Sequence, residues 1–492
     1  MFESAELGHR ISKATYDREE PGLREALLNA QYDLAQSRRF PVIILVGGVD
    51  GAGRSEVVNR LNEWMDPRHI EVNGMGAPTD EESQRPRMWR YWRVLPPKGK
   101  IGVFLGSWYT WPFLHWVFEE SSDGEFDEAL DEVVRFERML ADEGALILKF
   151  WLHLSKKGQK DRLKKLESDP RTRWRVSKRD WEHLKLYDRF HRCAERAIRH
   201  TSTGEAPWTI VDGSDDRYRS LAVGKILLDA LQQRLKRKEG KAPKVGAPPL
   251  PRSIDRLDVI RALDLTQRVT RKQYDKQLEK YQEKLARMLR SPGFGKRGAI
   301  VVFEGNDAAG KGGSIRRVTG ALDARQYTIR PVAAPTEEER AQPYLWRFWR
   351  HVPLKGRLMI FDRSWYGRVL VERVEGFASQ ADWMRAYSEI NDFEAQLAEA
   401  GYVLAKFWLA ISRDEQMRRF REREKTAFKR FKITAEDWRN RKKWDPYEQA
   451  VCEMVERTSS DISPWTLVEA NDKYFARIKV LRTLCARIEQ AL

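Results

Sequence analysis

Gly305-Asn306-Asp307-Ala308-Ala309-Gly310-Lys311-Gly312-Gly313 comes after a short apolar run at residues 299–303. That run is continuous and rich in β-branched residues, which predicts a buried parallel strand. The glycine-rich stretch fits G-x-x-x-x-G-K, the loop whose backbone amides cradle phosphates where a helix begins. Strand, loop and helix in that order are the context the motif requires. Further short apolar runs at 358–361, 402–409 and 465–468 alternate with helical stretches. The expected fold is therefore an α/β, three-layer parallel sheet of the P-loop kinase type. Ahead of the loop, Tyr274, Leu278, Tyr281, Leu285 and Leu289 recur at three- and four-residue spacing. That spacing predicts an amphipathic helix packed on its own domain.

The same unit is written twice. Asp50 and Asp307 lie 257 residues apart, and so do Ala77-Pro78-Thr79 and Ala334-Pro335-Thr336. Trp89-Arg90, Trp92-Arg93, Ser107-Trp108-Tyr109, Lys149-Phe150-Trp151, Asp180-Trp181 and Pro207-Trp208 all recur at that one offset. A register held this long means tandem duplication with no net insertion between the anchors. A Pro-, Gly- and Lys-rich stretch separates the copies and reads as an extended linker. The expected division is 1–237 for the first domain, 238–255 for the linker and 256–492 for the second domain.

The repeats differ in their chemistry. In the second, Lys311 is placed to reach the outer phosphates. The Ser or Thr that usually follows this lysine and touches Mg²⁺ is Gly312, so the metal needs other ligands. Asp307, inside the loop, and Asp362, at the end of the run 358–361, are hard oxygen donors suited to Mg²⁺, with Mn²⁺ as the alternative ion. Arg363 follows directly and suits bidentate phosphate binding. The phosphate-binding set is then Gly305, Asn306, Ala309, Gly310, Lys311, Gly312, Gly313 and Arg363. In the first repeat the loop reads Gly48-Val49-Asp50-Gly51-Ala52-Gly53-Arg54-Ser55, and Asp362-Arg363 aligns with Leu105-Gly106. Leucine cannot ligate a metal. The first repeat is expected to be inactive and the second to be the catalytic one.

Two basic segments have a functional and a plain reading. Trp346-Arg347-Phe348-Trp349-Arg350 either stacks bases and pairs phosphates or supplies core aromatics with solvated arginines. Residues 413–432 carry Arg418, Arg419, Arg421, Arg423, Lys425, Lys429, Arg430 and Lys432. They form either a solvated charged helix or a helical lid over phosphates.

Composition narrows the class. The chain has 492 residues, 41% hydrophobic and 33% charged, which suits neither a disordered nor a membrane chain. No apolar run approaches the roughly 20 residues of a membrane helix. Three scattered cysteines, Cys193, Cys452 and Cys485, exclude a disulfide framework and fit a reducing, cytoplasmic setting. A net charge of +17 predicts a polyanionic partner.

The loop, Pro335-Thr336, Phe361-Asp362-Arg363-Ser364-Trp365-Tyr366, Val371-Glu372-Arg373-Val374, the basic segment and Pro464-Trp465 together resemble the family-2 polyphosphate kinases. The resemblance covers about 15–232 and 272–490. The tandem form is similar to the two-domain type of that family, which moves the terminal phosphate of inorganic polyphosphate onto AMP to give ADP. The resemblance implies Asp307 and Asp362 as Mg²⁺ ligands, Lys311 and Arg363 as phosphate binders, and Arg421 and Lys425 as lid residues. It implies polyphosphate and AMP/ADP as partners, with no membrane and no specific nucleic acid. A self-pairing single-repeat ancestor implies an intramolecular pseudo-dimer, with further homo-oligomerisation open. Two alternatives share parts of this pattern. An ATP-dependent nucleotide or small-molecule P-loop kinase has the same loop and lid. A non-catalytic polyanion- or nucleic-acid-binding protein has the same charge.

Overall fold

The computed structural model describes residues 1–237, 258–426, 433 and 435–492. The linker expected over 238–255 and the basic residues Lys429, Arg430 and Lys432 lie outside the described residues. Each repeat carries a five-stranded sheet. In the first, β1 (Val42–Gly48), β2 (Ile70–Gly74), β3 (Ile101–Leu105), β4 (Leu146–His153) and β5 (Trp208–Asp212) stand in the order β2-β3-β1-β4-β5. In the second, β6 (Gly298–Gly305), β7 (Tyr327–Pro331), β8 (Leu358–Asp362), β9 (Tyr402–Ala410) and β10 (Trp465–Glu469) repeat it as β7-β8-β6-β9-β10. Every pairing is parallel. The duplicated α/β architecture read from the sequence is the one observed.

Four strands of the second repeat fall on the apolar runs. The fifth, β7, does not announce itself. Tyr-Thr-Ile-Arg-Pro lies at a sheet edge with its last four residues exposed, so no buried face imposes an apolar pattern.

Alternation along β6 and β9 sorts the two faces of the second sheet. Ala299, Val301, Phe303, Ala405, Phe407 and Leu409 join one core cluster with Leu285 and Leu289 of the helix Arg271–Leu289 and with Val480, Leu481, Leu484 and Ile488 of the helix Lys473–Ala491. Lys406 points to the other face, where its ammonium donates to Glu394 of the helix Gln380–Glu399 at 2.7 Å. It also donates to the Tyr366 hydroxyl at 2.8 Å and the Thr458 carbonyl at 2.7 Å. Lys149 makes the same three bonds to Glu137, Tyr109 and Thr201 at 2.7, 3.0 and 2.8 Å. All four positions obey the 257-residue offset. A buried charge survives only when its donors are fully used, so this network accounts for the lysine of the repeated Lys-Phe-Trp signature.

The aromatic stretch at 346–350 is core. Trp346, Phe348 and Trp349 are buried, with Phe348 edge-on to Phe361 and Trp349 edge-on to Phe393. Arg347 pairs with Glu339 at 3.2 Å. These rings are spent on packing and are not available to stack bases.

The chain divides into two compact units. One comprises Met1–Pro78, Arg90–Lys241 and Pro335–Arg347; the other comprises Thr79–Trp89, Ala242–Ala334 and Phe348–Leu492. Each unit thus includes a short segment of the other repeat. Within the first, the Lys98 amide donates to Ala341 O at 2.9 Å and the Gln342 side chain donates to Leu95 O at 3.0 Å. Within the second, Arg85 donates to Val352 O at 3.0 Å and the Tyr402 hydroxyl donates to Gln84 O at 3.1 Å.

Candidate active site of the second repeat

The glycine-rich loop leaves the carboxyl end of β6, between β8 and β9. Gly305 has φ +147°, and a Cβ there would lie 2.4 Å from the Leu409 carbonyl oxygen, so only glycine fits. Asn306 ties the loop down. Its amide donates to Leu409 O at 3.2 Å, and its Oδ1 accepts from Ile411 N at 3.1 Å. The helix Lys311–Thr319 starts from Gly310. Lys311 Nζ lies along the loop and donates to Gly305 O at 2.7 Å. Arg419, only 3% exposed, donates to Ala308 O and Ala309 O at 3.0 Å each, and to Ala470 O at 2.7 Å and Asn471 O at 2.9 Å. It braces the loop from its carbonyl side.

Two cavities meet at this loop. One, of about 410 Å³, is lined by the loop residues 307–313 and by Asp362, Arg316, Arg363, Arg423, Lys473 and Arg477. It is a cation-walled space. Glu422 and Asp437 also line it, so cations outnumber acids without excluding them. Burial, and then the positive charge of Arg419, push the Lys473 ammonium below the ordinary lysine value against the opposing pull of Glu422. The other cavity, of about 90 Å³, has aromatic walls from Trp408, Trp444 and Tyr447, with Gln416, Asn440 and Glu304. Asp307 and Arg363 line both. Of the expected phosphate-binding set, Ala309, Gly310, Lys311, Gly312, Gly313 and Arg363 line the cationic cavity, whereas Gly305 and Asn306 line the aromatic one. Arg421 and Lys425 lie on the same helix as Arg419, Arg413–Lys425, but line a separate open groove with Asp414, Arg418 and Arg441. Arg423, on the same helix, is the basic residue of this segment that joins Arg419 in the wall of the cationic cavity.

Arg363 stands in the left-handed region at φ +66°. Its amide donates to Phe303 O at 3.0 Å, and its guanidinium lies 3.4 Å from the Asp307 carboxylate. Burial opposes the charge of Arg363, yet the carboxylates of Asp307 and Glu304 hold its pKa above the ordinary arginine value. Asp307 also accepts from Asn440 at 2.9 Å. Asp362 ends β8 in register with Phe303, so both expected metal ligands face one cavity. Among the described residues no group of three or more His, Cys, Asp or Glu side chains could hold a metal ion. Two carboxylates opening on a phosphate site still suit Mg²⁺, which takes few protein ligands and completes its shell with phosphate oxygens and water.

The sequence reading passed over Glu304. It is 6% exposed and accepts from the Ser364 hydroxyl at 2.8 Å. Burial raises its pKa against the pull of Lys311. The available signal was a lone acid closing an otherwise apolar strand. Asn440, Arg316, Lys473 and Arg477 carried no signal, because folding alone brings them to the loop.

The first repeat keeps the loop backbone. Gly48, Gly51, Gly53 and Gly106 have φ of +143°, +80°, +91° and +81°, matching +147°, +65°, +110° and +66° at Gly305, Ala308, Gly310 and Arg363. The side chains differ. Glu304 is matched by Gly47, Arg363 by Gly106 and Gly313 by Glu56. The Glu56 carboxylate pairs with Arg219, and with Arg162 and Arg175 at 3.2 Å each. Asp50 is held between Arg54 at 2.5 Å and His183 at 2.7 Å. Burial opposes its charge, but these partners keep its carboxyl below the usual aspartate value.

A duplicated parallel sheet with a phosphate loop, two carboxylates and a cation-walled cavity defines a P-loop kinase-like protein. The family model for polyphosphate kinase 2 (PPK2) matches residues 10–239 and 268–492, and the chain belongs to that family. It is 58% identical over 491 residues to a polyphosphate:AMP phosphotransferase of Pseudomonas aeruginosa, covering 100% of this chain and 99% of the other. It is 38% identical over 470 residues to a polyphosphate:AMP phosphotransferase of Acinetobacter johnsonii, covering 94% and 95%. The crystal structure of a polyphosphate kinase 2 from Pseudomonas aeruginosa superposes with a TM-score of 0.90 at 55% identity, covering 100% of this chain and 99% of that one. Among the described residues no helix is long and apolar enough to cross a membrane.

Proposed function

We propose that the chain moves the terminal phosphoryl group of inorganic polyphosphate onto AMP, giving ADP, and that the second repeat carries the reaction. The observation that carries this reading is the pair of unlike cavities meeting at Asp307 and Arg363. Cationic walls suit a phosphate chain, and aromatic walls suit a base. The net charge of +17 suits a long polyanion. The full-length relatives named as polyphosphate:AMP phosphotransferases support the same substrates.

Lys311, Arg316, Arg423, Lys473 and Arg477 bind the donor chain. Lys311 and Arg363 hold the phosphoryl group in flight, and the loop amides complete its cradle. A phosphate oxygen of AMP attacks the terminal phosphorus in line. A new P–O bond forms as the bond to the bridging oxygen breaks, and the shortened polyphosphate leaves with that oxygen. Asp307 and Asp362 would hold Mg²⁺, or Mn²⁺ in its place, and the ion would neutralise charge on the phosphate oxygens. Arg363 holds Asp307 in the position that shares both cavities. Substitution of the equivalents of Asp362, Arg363 and Glu304 leaves the first repeat without this machinery. Three free cysteines and no disulfide among the described residues fit a reducing, cytoplasmic setting.

The test is ADP formation from AMP and polyphosphate with no ATP present, with ADP and GMP as competing acceptors. Turnover with AMP supports the reading. Turnover only with ATP as donor would replace it with an ATP-dependent kinase, and salt-sensitive DNA binding without turnover would replace it with a polyanion binder.

A further inference from the structure

The first repeat has a cavity of its own, about 410 Å³. Every residue lining the 90 Å³ aromatic cavity of the second repeat has its counterpart, 257 positions earlier, in the wall of this one. Trp151, Tyr187 and Phe190 stand for Trp408, Trp444 and Tyr447, and His183 on Asp50 stands for Asn440 on Asp307. The larger volume has a local cause: Gly47 and Gly106 replace Glu304 and Arg363, two side chains that reach into the smaller cavity. Thr110, Phe113 and Leu114 are larger than the Gly367, Leu370 and Val371 they stand for, yet the cavity stays open and its aromatic walls have been kept.

One further feature points to an occupant. The loop backbone of the first repeat retains the left-handed glycines that aim amides at an anion. On the phosphate-chain side, by contrast, Glu56 puts a carboxylate where the second repeat has Gly313, and three arginines inside the unit satisfy it. Those arginines are drawn to Glu56 rather than to a phosphate chain.

We infer that the cavity of the first repeat is a second, non-transferring site for a nucleoside monophosphate. The base would lie among Trp151, Tyr187 and Phe190, and the phosphate toward Arg54 and the loop amides. The identity of the ligand rests on the acceptor reading of the equivalent cavity in the second repeat; the existence of the site rests on the cavity itself. A volume of this size lies within the range of small-molecule pockets.

Calorimetric titration of the full-length chain with AMP, without polyphosphate, counts the sites. The expected result is two AMP per chain. Leu114→Trp fills the first cavity and should leave one AMP per chain, with ADP formation from polyphosphate within about twofold of wild type. His183→Ala, a milder change at the cavity wall, should weaken that site at least tenfold, and it carries the test if Leu114→Trp fails to fold. One AMP per chain in the wild type with no change in either variant overturns the inference, as does two per chain in all three proteins. Failure of the acceptor reading has a different signature: no phosphorylation of AMP by the wild type, whatever the count of sites.

Discussion

Arg363 shows how function is written at a single residue. A non-glycine residue at φ +66° is strained, by roughly 1–2 kcal/mol for an L-residue in this region. Strain of this kind is kept where the surrounding structure needs the side chain. The first repeat makes the same turn with Gly106 at φ +81°, so the strain disappears where the guanidinium is no longer used. Arg363→Gly should therefore abolish transfer and yet raise the melting temperature, by a few degrees for about 1 kcal/mol. A loss of thermal stability together with activity would show Arg363 to be structural. Glu304 carries the opposite signature, an acid pushed up by burial. The folded chain then holds its proton at pH values where the unfolded chain has released it. The contribution of Glu304 to folding stability therefore falls as pH rises above the ordinary glutamate value of 4.5. Glu304→Gln, melted across pH 4 to 8 without divalent ions, should gain on the wild type steadily as pH rises. A gap independent of pH would contradict the assignment. Lys311, Asp307 and Asp362 were legible in the sequence because a loop motif and a strand end fix their places. Glu304 and Asn440 were not, because their role depends on which side chains the fold sets beside them.

Among the elements, strands with buried faces announced themselves and the edge strand β7 did not. The basic helix shows a finer limit. Its charge was plain from the sequence, but the face it turns to the loop was not, since all its basic residues look alike until packing fixes the rotation. Phe420 is buried, Arg419 braces the loop carbonyls and Arg423 lines the cationic cavity. Arg421 and Lys425 line a different groove. Arg423→Ala should raise the KM for long polyphosphate several-fold, while Arg421→Ala changes it by less than about twofold. Steady-state kinetics with a fixed chain length decides this, and the reverse order would return the donor role to Arg421.

At the scale of the whole molecule, duplication explains the constant offset and underlies the proposed division of chemistry. The second compact unit includes Thr79–Trp89, whose Arg85 and Gln84 bond to Val352 and Tyr402. A fragment of residues 256–492 lacks that segment, so it should aggregate or self-associate on a sizing column; a fully active, monomeric fragment would refute this. The division of labour is the central claim, and a matched pair of substitutions in the full-length chain tests it. The rate of ADP formation from AMP and polyphosphate should vanish in Lys311→Ala. It should fall less than tenfold, under about 1.4 kcal/mol of transition-state stabilisation, in Arg54→Ala. A large rate loss in a folded Arg54→Ala protein, or appreciable turnover by Lys311→Ala, would contradict it.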